Sequence, residues 1–161
     1  MSNDDQFEGI LLPGGHAKGM REYLESQVLQ NIVTLFFASQ KPIGAICQGV
    51  VLVARSKKAD GKSVLFGRKT TALLSSQELT AWNLTRLWLK DYYRTYSETV
   101  EAEVKKNLAS EEDFVKGPTP FFRDSPDTLK NGFCLRDGNY LSARWPGDAN
   151  KFGNEFLNMI R

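Results

Sequence analysis

The chain of 161 residues is 41% hydrophobic and 11% aromatic, which is enough apolar material for one globular domain with its own core. Its 21 lysines and arginines nearly balance 19 aspartates and glutamates, and the formal net charge of +2 is too small for the basic surface of a nucleic-acid-binding protein. The longest apolar runs are too short to cross a bilayer, and residues 1–6 lack the pattern of a secretory signal. We therefore expect a cytoplasmic protein that contacts neither nucleic acid nor a membrane.

Residue types that bind metals or form disulfides are scarce. Cys47 and Cys134 are the two cysteines, and His16 is the one histidine. The cysteines lie far apart in the sequence and lack the paired Cys/His spacing of zinc sites. We predict neither a disulfide framework nor a metal site, and we expect no organic cofactor.

The chain begins with a strand pattern that leads into a glycine loop. Residues 7–12 predict a short buried strand, and residues 13–19 are rich in glycine. From residue 21 to residue 40, apolar side chains recur every four positions, which predicts an amphipathic helix with a break near Ser26.

Strand, sharp turn and helix are predicted to meet at Cys47. The apolar run at 42–46 ends there, and residues 48–54 predict a buried helix. A nucleophile elbow requires small residues two positions before and two after the nucleophile, and Ala45 and Gly49 meet this requirement. The N–H groups at the start of a helix favour a thiolate and can hold an oxyanion. Cys47 is therefore either a nucleophile or a buried structural cysteine.

The middle of the chain predicts two strands and a helix. Residues 63–66 and 69–72 predict short strands around a turn at Gly67. Ser-Ser-Gln-Glu at 75–78 fits a capping box for a helix that continues to about Lys90. One face of this helix carries Leu84, Leu87 and Trp88.

The last third combines a short helix, a loop and a hairpin. Apolar positions at 100–108 mark a helix, and the proline-containing segment 110–131 predicts a loop that could border an active site. Asp-Gly-Asn at 137–139 predicts a hairpin turn between strands at 133–136 and 140–143.

Alternating strands and helices define the fold class. The final apolar pattern, at 149–160, predicts a helix with Asp148 as its N-cap. We predict an α/β fold with a mostly parallel sheet, helices on both faces and a C-terminal β-hairpin at an edge. Loops after neighbouring parallel strands share one edge, so the N–H groups of Gly14 and Gly15 are expected to face Cys47.

Four segments together resemble the PfpI/DJ-one superfamily. They are Ile-Leu-Leu-Pro-Gly-Gly-His at 10–16, Lys-Pro-Ile-Gly-Ala-Ile-Cys-Gln-Gly at 41–49, Gly-Arg-Lys-Thr-Thr-Ala at 67–72 and the Arg-Asp-Gly-Asn hairpin through Asp148. The similarity is greatest to the glyoxalase-and-chaperone branch. It implies one flavodoxin-like, class I glutamine amidotransferase-like domain over residues 1–161.

The resemblance also implies that the domain is truncated at its N-terminus. Family members carry a further strand, helix and strand before the Pro-Gly-Gly loop, with a glutamate that hydrogen-bonds the nucleophile. About six residues precede the first strand of this chain. An open strand edge invites pairing with another chain, so we expect a homodimer.

The resemblance assigns roles to several side chains and leaves some of them open. Hydrolase members of this branch have histidine where this chain has Gln48, which can bind a substrate but cannot take up a proton near neutral pH. His16 is either a base or a residue that shapes the site. Glu78 is either a member of the catalytic set or the capping-box glutamate. Cys134 is expected to be structural. The chain has no histidine after His16, so the catalytic triad of glutamine amidotransferases is absent.

The expected function is cysteine chemistry on a small molecule. Cys47 would attack a small reactive carbonyl or amide, as in glyoxalase III, deglycase or amidase enzymes, with Gly14, Gly15 and Gln48 binding the oxyanion or substrate. Gln48 and the short N-terminus predict weak activity. The alternative is a non-catalytic or truncated family member with a chaperone-like or redox-sensing role.

Overall fold

The computed structural model describes residues 7–161, and its centre is a four-stranded sheet in the order β1-β2-β4-β3. The strands are β1 (Ile10–Leu12), β2 (Ile43–Ile46), β3 (Cys134–Asp137) and β4 (Tyr140–Ala143). β1, β2 and β4 run parallel, whereas β3 pairs antiparallel with β4. The predicted α/β class, the mostly parallel sheet and the C-terminal hairpin are confirmed, with β3 at the edge and β4 inside the sheet.

Six α-helices surround the sheet in the described part of the chain. Ser26 separates the first two, as predicted, and its hydroxyl oxygen accepts a hydrogen bond from the N–H of Leu29 at 3.3 Å. None of the helices within residues 7–161 combines the length and the apolar character needed to span a bilayer. The helices are α1 (Met20–Glu25), α2 (Gln27–Ala38), α3 (Gly49–Arg55), α4 (Ser75–Leu89), α5 (Val100–Lys105) and α6 (Ala149–Ile160).

Helices cover both faces of the sheet. Tyr140 belongs to the larger apolar cluster, which includes α2 and α3, whereas its neighbour Leu141 packs in a second cluster with Phe152 and Phe156 of α6. Successive strand residues point to opposite faces, so the two clusters lie on opposite sides of the sheet. The register places Leu12 opposite Ala45, so β1 and β2 end together at the edge where their following loops begin.

Two predicted strands in the middle of the chain are wrong. Residues 63–66 and 69–72 make only isolated bridges, from Ser63 to Lys57 and from Thr70 to Phe114. Val64 and Leu65 are buried, but the segment turns on itself and the Ser63 hydroxyl oxygen accepts from the N–H of Leu65 at 3.1 Å. The apolar pattern correctly indicated that this segment is buried. Side-chain hydrogen bonds take the place of the backbone hydrogen bonds that a strand would form with its neighbour.

The two predicted helix caps have different outcomes. Leu74 occupies the N-cap of α4 and its N–H donates to Gln77 Oε1 at 3.4 Å, so Glu78 is not the capping-box residue. Asp148 occupies the N-cap position of α6, as predicted, but its side chain makes no capping hydrogen bond and instead forms a buried ion pair with Arg144 at 2.9 Å. The apolar residues expected on one face of α4 are largely exposed: Leu84 at 68%, Leu87 at 89% and Trp88 at 66%.

Candidate active site

Cys47 occupies a strained turn between β2 and α3. Its φ angle is +59°, a left-handed conformation that non-glycine residues rarely adopt. The Cys47 N–H donates to the carbonyl oxygen of Ala143 at 3.0 Å, which continues the pairing of β2 with β4 past the strand end. α3 begins two residues later at Gly49. This strand, strained turn and helix have the geometry of a nucleophile elbow.

The Pro-Gly-Gly loop packs directly on this turn. A Cβ atom on Gly49 would lie 2.2 Å from the carbonyl oxygen of Leu12, and one on Gly14 would lie 2.6 Å from the backbone nitrogen of Gln48. Neither clash can be relieved by moving a flexible side chain. Glycine at positions 14 and 49 therefore lets two stretches of backbone approach each other beside Cys47.

A cavity of about 890 Å³ opens at this junction. Its walls come from the Pro-Gly-Gly loop, the elbow, α4, the loop around residue 120 and the segment after β4. The predicted site residues Gly14, Gly15, His16, Cys47 and Glu78 all line it, whereas Cys134 is not among the lining residues. The structure therefore brings the residues predicted from separate parts of the chain to one cavity.

Burial favours the protonated form of the Cys47 thiol. It is 6% exposed, and burial raises its pKa to about 12, although a hydrogen bond from the Gln48 N–H lowers it and the negative charge of Glu78 raises it further. The backbone N–H of Gln48 thus favours a thiolate, as expected from the sequence, while burial and the charge of Glu78 act against it.

Glu78 is a buried carboxylate beside the cavity. It is 2% exposed, and its Oε2 accepts the N–H of Val100, at the start of α5, at 2.9 Å. Burial raises the pKa of Glu78, while the Val100 N–H and the charge of Arg94 lower it. The negative charge of Glu78 also raises the pKa of Cys47.

Gln48 joins the elbow to two distant segments. Its side chain is buried, and Nε2 lies 3.1 Å from Nδ1 of His16 and 3.0 Å from Oγ1 of Thr95. The Thr95 hydroxyl also lies 3.2 Å from Gln48 Oε1. Gln48 was expected to bind the substrate, but it is not among the residues that line the cavity, and its side chain contacts His16.

His16 is packed among aromatic rings. Its ring meets Tyr93 edge-on, with centroids 4.9 Å apart, and lies 6.2 Å from the ring of Tyr92. Burial lowers the pKa of His16, so the imidazole is neutral at physiological pH.

Sequence reasoning missed several residues of the site. The contact of Thr95 with Gln48 spans 47 positions and has no sequence signal. Tyr93, Arg123 and Trp145 also line the cavity, and the guanidinium of Arg123 lies 5.8 Å from the indole ring of Trp145. In the part of the chain that the structure describes, no group of three or more histidine, cysteine or carboxylate side chains could hold a metal ion.

The fold and the elbow define a class of protein, and comparison with known families identifies it. Residues 2–159 match the DJ-1/PfpI family, and the chain therefore belongs to this family. The resemblance seen in the sequence motifs is confirmed.

Individual relatives are more distant. A glutathione-independent glyoxalase of Schizosaccharomyces pombe is 29% identical over 150 residues, which cover 91% of this chain and 57% of that protein. A deglycase of Thermococcus kodakarensis is 24% identical over 157 residues, 98% of this chain and 64% of that protein. The crystal structure of glyoxalase III from Candida albicans superposes with a TM-score of 0.69 at 16% identity, covering 99% of this chain and 60% of that one, and shows the shared fold. The chain thus spans less than two thirds of the length of these relatives.

Proposed function

We propose that this protein is a cysteine-dependent enzyme that acts on small reactive carbonyl compounds, in the manner of a glyoxalase III or a deglycase. The single observation that carries the proposal is the strained φ of Cys47 at +59° on an elbow that opens into the cavity. Strained backbone of this kind persists only where surrounding packing enforces it, and it clusters at functional sites. The glyoxalase and deglycase relatives support this reaction class.

Cys47 needs a base, because burial favours the protonated form of its thiol. We assign this role to Glu78, the buried carboxylate that lines the same cavity and whose charge raises the pKa of the thiol. As the thiol proton passes to Glu78, the sulfur forms a bond to the carbonyl carbon and the π electrons of the C=O bond move to oxygen. Return of the proton to that oxygen completes a hemithioacetal, with no other reactant consumed. An amide carbonyl would be attacked in the same way.

The oxyanion formed in this step needs hydrogen-bond donors. The N–H of Gln48 already reaches the Cys47 sulfur, and the backbone of Gly14 lies against the same turn. N–H groups of Gln48, Gly14 and Gly15 are therefore available beside the sulfur, where the carbonyl oxygen of a bound substrate would lie.

Peptide mapping of the covalent adduct tests the proposal. The protein is incubated with methylglyoxal, quenched, digested and analysed by mass spectrometry, with Cys134 as the internal control. The proposal expects the substrate mass on Cys47 in wild type and no such mass at position 47 in Cys47→Ser. An adduct confined to Cys134 would refute it.

A chaperone-like role is the second candidate, and the exposed side of α4 supports it. Leu84, Leu87 and Trp88 are exposed by 68%, 89% and 66%, a concentration of apolar surface that commonly marks an interaction site. Leu87→Glu should then abolish protection of a heat-denatured client protein from aggregation, whereas Val28→Glu, at an exposed position of α2, should preserve it. Equal protection by both variants would remove this candidate.

We also propose that the chain forms a homodimer in the cytoplasm. β1 pairs only with β2 among the described strands, and its central residue Leu11 is 45% exposed, so its free edge can accept another strand. Cys47 and Cys134 are free thiols, as a reducing compartment would keep them. Light scattering of wild type and Leu11→Pro tests the dimer: the variant should become monomeric, and a wild type that is itself monomeric would contradict the proposal.

A further inference from the structure

The amide of Gln48 is placed to determine which nitrogen of His16 carries the proton. Gln48 is 1% exposed, and its Nε2 lies 3.1 Å from His16 Nδ1. An amide nitrogen donates hydrogen bonds and accepts none, so Nδ1 must accept in this contact. In a neutral imidazole the proton then resides on Nε2.

Neighbouring groups hold Gln48 in this position. Both amide atoms reach the hydroxyl of Thr95, at 3.0 Å from Nε2 and 3.2 Å from Oε1. The carbonyl oxygen of Thr95 in turn accepts from Nε and Nη2 of Arg21, at 3.0 and 2.6 Å. A two-point contact to an anchored threonine restricts rotation of the glutamine side chain and hence of the imidazole that it contacts.

The other nitrogen of His16 is left for a ligand. Within residues 7–161, Nε2 has no hydrogen-bond partner, and the ring lines the cavity that contains Cys47. The edge-on contact with Tyr93 packs the ring without satisfying a ring nitrogen.

We infer that Gln48 is a positioning residue that holds His16 as the Nε2–H tautomer, so that His16 donates a hydrogen bond to the carbonyl oxygen of the substrate. This assignment differs from both sequence-based interpretations of His16, since a neutral Nε2–H group polarises a carbonyl and cannot act as a base at that nitrogen. The donor role rests on the function proposed above, whereas the tautomer does not. Because Glu78 is the proposed base, the reaction does not need a histidine at position 48. The weak activity expected from Gln48 therefore no longer follows.

The single histidine makes the tautomer directly measurable. Long-range ¹H–¹⁵N correlation spectra of uniformly labelled protein at neutral pH contain one imidazole, that of His16. Wild type is expected to show a protonated Nε2 and an unprotonated Nδ1. A protonated Nδ1 in wild type would overturn the inference, and this result needs no variant.

Gln48→Glu reverses the hydrogen bond with little change in shape. An ionised carboxylate only accepts, so Nδ1 should become protonated and its nitrogen resonance should move to the N–H position. Gln27→Glu makes the same charge change at an exposed position of α2 and should leave the spectrum as in wild type. An unchanged His16 spectrum in a folded Gln48→Glu would also overturn the inference.

Turnover separates the tautomer from the proposed reaction. If wild type shows the expected tautomer and converts methylglyoxal, Gln48→Glu should lower kcat about tenfold or more while Gln27→Glu retains it. If the expected tautomer is found in a wild type without turnover, the proposed function fails and the positioning by Gln48 stands. Full turnover in Gln48→Glu would refute the donor role.

Discussion

Gly14 and Cys47 lie so close that a Cβ atom on Gly14 would be 2.8 Å from the Cβ atom of Cys47. The same added atom would meet the Ile46 carbonyl oxygen at 2.8 Å and the Gln48 backbone nitrogen at 2.6 Å. All three neighbours belong to the elbow backbone or are fixed to it. The absence of a side chain at position 14 is thus part of how the elbow is held beside the Pro-Gly-Gly loop.

Gly14→Ala should destabilise the protein by about 1–3 kcal/mol and reduce turnover, because the methyl group must push the loop away from the elbow. Gly19→Ala is the control, since an added Cβ there meets nothing within 4 Å and the φ of Gly19 is −71°. Urea unfolding compares the two variants. Equal midpoints for Gly14→Ala and wild type would show that the loop is not packed as described.

Local sequence patterns predicted the strand, the turn and the helix around Cys47, but they did not predict the long-range contacts of the site. The small residues at 45 and 49 are a local requirement of an elbow. The Asp137-Gly138 turn, in which Gly138 has a φ of +61°, is a local requirement of a hairpin. Residues 63–66 carry the apolar content of a strand, yet periodicity cannot tell a buried turn from a strand. The contact of Gln48 with Thr95 depends on how the segment after α4 folds back, which no local pattern encodes.

Glu78→Gln should separate the two effects of Glu78 on Cys47. Removing the carboxylate lowers the pKa of the Cys47 thiol, since the charge of Glu78 raises it, but it also removes the proposed base. The amide oxygen can still accept the Val100 N–H. We expect faster alkylation of Cys47 together with at least a hundredfold loss of turnover, the lower range for general base catalysis.

The matched control for this variant is Glu22→Gln, which makes the same change at an exposed position in the first turn of α1. It should leave both rates as in wild type. If Glu78→Gln retained full turnover, Glu78 would not be the base.

Alkylation of Cys47 should depend steeply on pH. With a pKa of about 12, the thiolate fraction rises about tenfold for each pH unit between 7 and 10, and only the thiolate reacts. Iodoacetamide labelling with peptide mapping measures this rate, with Cys134, whose pKa burial raises to about 11, as a second thiol in the same sample. A plateau in the Cys47 rate near neutral pH would reveal an activated thiolate and make a separate base unnecessary.

Asp148→Asn should be strongly destabilising. Asp148 and Arg144 form an ion pair in which the side chains are 0% and 1% exposed, and Arg144 also donates to the carbonyl oxygens of Lys116 and Pro118 in the loop that leads to the cavity. Removing one partner leaves a buried charge uncompensated, which costs about 3–5 kcal/mol.

Lys106→Gln provides the comparison for Asp148→Asn, because it breaks an ion pair with Glu98 in which Lys106 is 70% exposed. Such exposed pairs contribute at most about 1 kcal/mol. Calorimetric unfolding should show a clear loss for Asp148→Asn and little change for Lys106→Gln. Equal effects would mean that burial of the first pair has no energetic consequence.

Lactate formation from methylglyoxal by wild type, Cys47→Ser and Cys134→Ser tests the central claim, that Cys47 is the nucleophile, most directly. Serine preserves the shape of the side chain and removes the thiol in each variant. The proposed function predicts measurable turnover in wild type and in Cys134→Ser, and a fall to the uncatalysed rate in Cys47→Ser. Turnover that survives in Cys47→Ser would contradict the assignment of Cys47 as the nucleophile.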